Sequence, residues 1–140
     1  MANEIKNSSN KFFAYIRVST RKQEDGASLD EQLRQIHNYA DNKKLNIVKE
    51  FEEKQSAAKI GRVQFAKMMK ELQKDKNIRG IIFHTVDRSA RNPYDQSKLY
   101  QLKESGYELH FAHDGIDSTN HSAMSMIFIR WGIASYFQRI

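Results

Sequence analysis

The order in which apolar runs and amphipathic stretches alternate along the chain constrains its fold more than any other feature. Residues 12–18 form an aromatic and β-branched run long enough for a buried strand. Ser28-Leu29-Asp30-Glu31 is a capping-box sequence, with Ser28 as N-cap. Behind it Leu29, Leu33, Ile36 and Ala40 recur at helical spacing, so a helix is expected to about Lys43. Residues 46–51 read as a second strand, and Phe65, Met68, Met69 and Leu72 form the stripe of a second helix. Ile81-Ile82-Phe83 is apolar without alternation, as in a strand covered on both faces. Asn92-Pro93 starts a third helix and Gly106 suits the residue beyond its end. Residues 109–112 make a fourth strand. Strand and helix thus alternate throughout, which specifies an α/β fold with an open, mostly parallel sheet flanked by helices.

A chain of 140 residues fits one domain of this kind. The absence of cysteine excludes a disulfide scaffold, thiolate zinc and thiol catalysis, and fits a reducing cytoplasm. Residues 1–11 are polar, resemble no signal peptide, and are expected to be flexible; residues 12–119 carry the α/β domain. From Ala123 to Ile140, twelve of eighteen residues are apolar, too few and too interrupted for a membrane span. They cover more than one stripe, so residues 120–140 are expected to begin a long interface helix that meets a second copy of the chain. That helix reaches the last residue without a stop signal, as in a fragment of a longer protein. Net charge is +6, and its placement matters more than its size. Residues 54–91 carry a net +7, a concentration that suits a phosphate-backbone partner or a solvated helix face.

In open α/β sheets ligands sit beyond the carboxyl ends of the strands. Three polar segments fall there: Tyr15-Ile16-Arg17-Val18-Ser19-Thr20, then Lys54-Gln55-Ser56 with Arg62, then Asp87-Arg88-Ser89-Ala90-Arg91. A hydroxyl, four arginines and a carboxylate would line one edge. Other chemistries lack support. Neither a Gly-x-Ser-x-Gly elbow, a P-loop nor Gly-x-Gly-x-x-Gly is present. His110 and His113, three apart in an expected strand, would point to opposite faces. His37, His84 and His121 read as surface or core residues, so neither metal nor cofactor is expected. Asp114 and Asp117 flank Gly115 and shape a turn.

The run Tyr15-x-Arg17-x-Ser19-Thr20, with Gln23 and Ser28-Leu29-Asp30-x-Gln32, closely resembles the start of the serine recombinase (resolvase/invertase) catalytic domain. Ser56 followed by Arg62, Asp87-Arg88-x-x-Arg91, and Asp114-Gly115-Ile116 before a final helix extend the resemblance. Asp-Arg-x-x-Arg-Asn and Glu53-Lys54-Gln55-Ser56-Ala57 look most like the large serine recombinases of integrase and transposase type.

The resemblance implies a site-specific recombinase that needs neither metal nor ATP. Ser19 would attack a phosphodiester of double-stranded DNA and leave a 5′-phosphoserine. Arg17, Arg88 and Arg91 would contact the scissile phosphate, with Arg62 supporting them and Asp87 orienting the arginines or moving a proton. Tyr15, Gln23, Gln32 and Ser56 fall at supporting or DNA-binding positions. The resemblance further implies dimers and a synaptic tetramer, a bacterial or mobile-element origin, and a DNA-binding domain outside residues 1–140. Departures are the Glu52-Glu53-Lys54 and Ala57 stretch, Ser89-Ala90, and a final helix lacking the Glu-Arg pair many members carry. The competing reading is a non-catalytic DNA-associated α/β module that regulates or assembles.

Overall fold

The computed structural model describes residues 9–19, 28–55, 62–86, 89 and 93–131, with the backbone alone at Ser19, Gln55, Pro93, Phe128, Arg130 and Trp131. Strands β1 (Lys11–Ser19), β2 (Asn46–Gln55), β3 (Ile78–Phe83), β4 (Glu108–Phe111) and β5 (Ile116–Asp117) form one sheet in the order β2-β1-β3-β4-β5. The first four are mutually parallel, and β5 alone runs antiparallel, against β4. The helices are α1 (Leu29–Lys43), α2 (Val63–Lys74), α3 (Pro93–Glu104) and α4 (His121–Trp131). This is the expected open α/β sheet, with β5 as an addition too short to carry a sequence signal.

Alternation along β1 divides the core. Phe12, Ala14 and Ile16 face one way and pack with Ile36, Tyr39 and Ala40 of α1. Phe13 and Tyr15 face the other way and pack with Phe65, Met68 and Leu72 of α2, Leu99 of α3, and Met124 and Ile127 of α4. Covered on both faces, the central strands need no polar side, which explains Ile81-Ile82-Phe83.

Local signals set the helix ends. The Ser28 hydroxyl accepts from the Glu31 amide at 3.1 Å, as the capping sequence predicts. Glu31 does not complete the box with its own side chain; it holds Arg34 and Gln35 instead. Hydrogen bonds from these two put its carboxyl at a pKa of about 2. Lys44 closes α1 in the left-handed conformation at φ 62°, its amide returning to Ala40 and Asp41. Gly106, at φ 104°, stands just past α3 as expected. Gly80 answers to close approach rather than to φ, since a β-carbon there would lie 2.1 Å from the Glu108 carbonyl oxygen across the β3–β4 ladder.

β3 starts three residues before the expected Ile81, at Ile78, and two strand ends also differ from expectation. β2 runs four residues further, to Gln55, so Lys54 and Gln55 lie inside the strand rather than after it. The ladder with β1 continues through Val18↔Lys54 and Ser19↔Gln55, and only one face of the extension is buried: Phe51 and Glu53 turn inward, Glu52 and Lys54 outward. β4 ends at Phe111, so His113 lies in the following turn and strand alternation does not govern it. At the start of the chain, Lys11 opens β1, and the Arg79 guanidinium donates to the Ser9 carbonyl at 3.0 Å.

Candidate active site

Parallel strands bring the ends of β1, β2 and β3 to one edge of the sheet. β1 is central there, and its last residue is Ser19, paired with Gln55 at the end of β2. Two residues before it, half-buried Arg17 stands opposite Glu53 in the same ladder. Tyr15 lies two residues further back and is 1% exposed.

Tyr15 leads into a buried polar hub. Its hydroxyl donates to Glu53 Oε1 at 3.0 Å and accepts from Arg62 Nε at 3.1 Å. Burial pushes the Tyr15 phenol well above its ordinary pKa, the charge and hydrogen bond of Arg62 opposing and those of Glu53 reinforcing. Tyr15 therefore serves as a fixed O–H donor at any working pH.

Glu53 is placed by the start of α2. That helix has no acid in its first turn, and its N-cap residue, Arg62, makes no side-chain cap. The carboxylate of Glu53 reaches over from β2, accepting from the Phe65 amide at 2.9 Å and the Gln64 amide at 3.2 Å. It satisfies two otherwise orphaned donors and sits at the positive end of the helix dipole.

Arg62 holds the hub together. Its guanidinium donates to Asp95 Oδ2 at 2.5 Å and to the Ser89 carbonyl at 3.1 Å, beyond the bond to Tyr15. The two charged side chains are 7% and 11% exposed. The guanidinium carbon also lies 4.3 Å from the Phe65 ring centre and 5.2 Å from that of Tyr15. A lysine could not make three directed bonds in one plane while lying on two rings. Ser89 is buried, and its hydroxyl donates to the Val86 carbonyl at 2.6 Å. Arg62 thus ties β1, the start of α2, the first turn of α3 and the segment containing Ser89.

Among the residues singled out from sequence, Tyr15 and Arg62 are in direct contact, and Arg17 and Ser19 end the same strand. Gln32 is fully buried in the first turn of α1, on the opposite face of the sheet from α2. Gln23, Ser56, Asp87, Arg88 and Arg91 lie outside the described residues. Glu53 and Asp95 are the hub members that sequence reading passed over. Glu53 had a usable signal, standing two residues after Phe51 on the buried face of β2. Asp95 had none, since an acid in a first helical turn is ordinary. Among the described residues no cluster of His, Asp and Glu is arranged to hold a metal ion.

The sequence profile of the family described as "Resolvase, N terminal domain" matches residues 12–140. The chain belongs to the resolvase family. Solved structures agree with that membership. The N-terminal catalytic domain of TP901-1 integrase superimposes with a TM-score of 0.73 at 21% identity, covering 92% of this chain and 96% of that one. A resolvase family site-specific recombinase from Streptococcus pneumoniae gives 0.68 at 30% identity, covering 92% and 90%. The C-terminal catalytic domain of ISC1926 TnpA, an IS607-like serine recombinase, gives 0.59 at 20% identity, covering 73% and 70%. No curated protein sequence matches the chain. The fold is that of the serine recombinase catalytic domains, and the edge described above is its candidate active site.

Proposed function

We propose that this resolvase-family domain cleaves and rejoins double-stranded DNA through a phosphoserine on Ser19. The Ser19 oxygen attacks the phosphorus, a serine–phosphate bond forms, and the bond to the 3′-oxygen breaks. The serine proton leaves to base or water, and the departing oxygen takes one up as a 3′-hydroxyl. Rejoining reverses the step when a 3′-hydroxyl attacks the phosphoserine, so the phosphate bond is conserved and no nucleotide triphosphate is consumed.

The observation that supports this reading is that Arg17 and Ser19 end β1, the strand whose Tyr15 is held by Arg62. Phosphoryl transfer spreads negative charge over the equatorial oxygens, and guanidinium groups held in place stabilise it without reorganising. Arg17, Arg88 and Arg91 are the groups we assign to the phosphate, with Asp87 orienting them. Arg62, already committed to Tyr15, Asp95 and Ser89, is a positioning residue. Its bond to the Ser89 carbonyl anchors the residue that follows Arg88 in sequence. Gln23, Gln32 and Ser56 would support the site or touch DNA. Assembly between copies would use α4, where Met126 and Ile129 are 52% and 70% exposed while Met124 and Ile127 are buried in the core.

Ser19→Ala tests the proposal. Incubated with a pool of random-sequence duplexes and then denatured, the unsubstituted protein should retain covalently bound DNA, and the variant none. An equal adduct from a folded Ser19→Ala protein would remove Ser19 from the reaction. A chain that only regulates or assembles would give no adduct in either form.

A further inference from the structure

The concentration of positive charge over residues 54–91 is only partly absorbed by the candidate active site. Lys67, Lys70, Lys74 and Lys76 lie along α2 and just beyond it, outside the hub. One of them faces a groove. Between α2 and α3 runs an open cleft of about 450 Å³ lined by Phe65, Met69, Lys70, Tyr94 and Lys98, with Arg62 and Asp95 at its inner end. Phe65, Ala66 and Met69 supply its apolar lining, and Lys70 and Lys98 make its lip cationic. Lys98 Nζ lies 4.9 Å from the ring centre of Tyr94, which is 68% exposed. Among the described residues, the acids of α2 and α3 are engaged elsewhere. Asp95 holds Arg62, Glu71 holds Lys49 and Glu104 holds Lys103. Among the described residues neither Lys70 nor Lys98 has an ion-pair partner.

We infer that this groove is a second DNA contact, holding the sugar–phosphate backbone beside the strand that is cut. The inference rests on the proposed function and extends it. Two lysines and an exposed ring lining one groove fit a backbone, whose phosphates take the ammonium groups while a deoxyribose packs against the ring. An acidic protein segment would satisfy the charges but would have no need of the exposed ring. The groove is also continuous with the site: Asp95 lines it and fixes Arg62 by the same carboxylate. Backbone seated on Lys70 and Lys98 therefore leads from the α2–α3 face toward the hub, adding affinity and orientation without sequence choice.

The test is fluorescence anisotropy of the chain with a non-specific duplex across a salt series. The double variant Lys70→Gln with Lys98→Gln removes two cations with which no carboxylate among the described residues pairs. Each phosphate contact contributes about 0.9 to the slope of log affinity against log salt, so the slope should fall by about 2 and affinity at 0.1 M salt roughly tenfold or more. Tyr94→Ala should weaken binding with the slope kept, and Tyr94→Phe should restore it. The control is Lys43→Gln with Lys44→Gln, an equal change of charge at the far end of α1. If both lysine pairs alter binding equally, or the groove pair alters nothing, the groove is not a DNA contact and the active-site reading stands. A change in self-association with unaltered DNA binding would assign the groove to a second copy of the chain and overturn the inference. No binding by the unsubstituted chain would remove both proposals.

Discussion

The molecule has two buried polar networks built from similar parts at opposite ends of one sheet. At the carboxyl ends of the strands, Tyr15, Glu53, Arg62 and Asp95 interlock. At the amino ends, Tyr39 is bonded to His110 at 2.7 Å, His110 to Glu108 at 2.9 Å, and Glu108 to Arg79 at 2.9 Å, with Arg79 reaching Ser9. Both join a tyrosine, an acid and an arginine, yet they differ in where they lead. The Arg62 network joins β1, β2, the start of α2, Ser89 and the first turn of α3, at the end of the sheet where β1 reaches Ser19. The Arg79 network closes on β3, β4 and the residue preceding Asn10, at the opposite end from the carboxyl edge where ligands sit in open parallel sheets. The two networks differ by the end of the sheet they occupy, not by residue type.

The largest expected difference between the two ends is in stability. Asp95→Ala leaves the Arg62 guanidinium buried without its carboxylate, which costs about 3–5 kcal/mol. Arg79, with 28% of its side chain in water and Glu108 still held by His110, should cost about 1 kcal/mol when replaced by alanine. Urea denaturation at neutral pH measures both. Equal losses would mean that the Arg62 pair is hydrated, and the distinction between the ends would collapse. Both variants should lie on the same scale as the unsubstituted protein in m-value, since neither changes the surface exposed on unfolding.

Much of this was legible in the sequence, because the dominant forces there are periodic. Apolar runs and helical stripes gave α1, α2, α4 and the four parallel strands, while the end signals Asn92-Pro93 and Gly106 gave α3. The motifs around Arg17, Ser19 and Arg62 pointed to the carboxyl edge of the sheet, where Arg17 and Ser19 end β1 and Arg62 precedes α2. What escaped depends on contacts distant in sequence. β2 beyond Phe51 reads Glu-Glu-Lys-Gln, and it is a strand only because β1 pairs with it and α2 needs Glu53 as a cap. Asp95 acquires its meaning from Arg62, 33 residues earlier. The groove between α2 and α3 likewise exists only once the two helices are packed.

A smaller effect separates the networks by pH. Burial pushes the Glu108 carboxyl up, but hydrogen bonds and charge from His110 and Arg79 outweigh it and leave the net shift downward. Asp117 is also shifted downward, burial being outweighed by bonds from Thr119 and by the charges of His110 and Lys43. Both groups hold protons more weakly folded than unfolded, so their contribution is present above the ordinary carboxylate range and is lost as pH falls through it to their lower folded values. Glu108→Gln should flatten the acid limb of urea midpoint against pH. An unchanged limb would place the acid sensitivity elsewhere. In the alkaline direction burial raises Tyr15, Tyr39 and Tyr107, so stability should decline above about pH 10, where the unfolded phenols ionise.

The central claim is that the carboxyl edge of β1 performs covalent chemistry through one hydroxyl. The most direct measurement is mass spectrometry of the protein–DNA adduct after digestion with nuclease and trypsin. The account predicts a 5′-linked nucleotide on the peptide Val18-Ser19-Thr20-Arg21, with the modification on Ser19 and a free 3′-hydroxyl on the released strand. A nucleotide on any other residue, or a 3′-linked one, would contradict it.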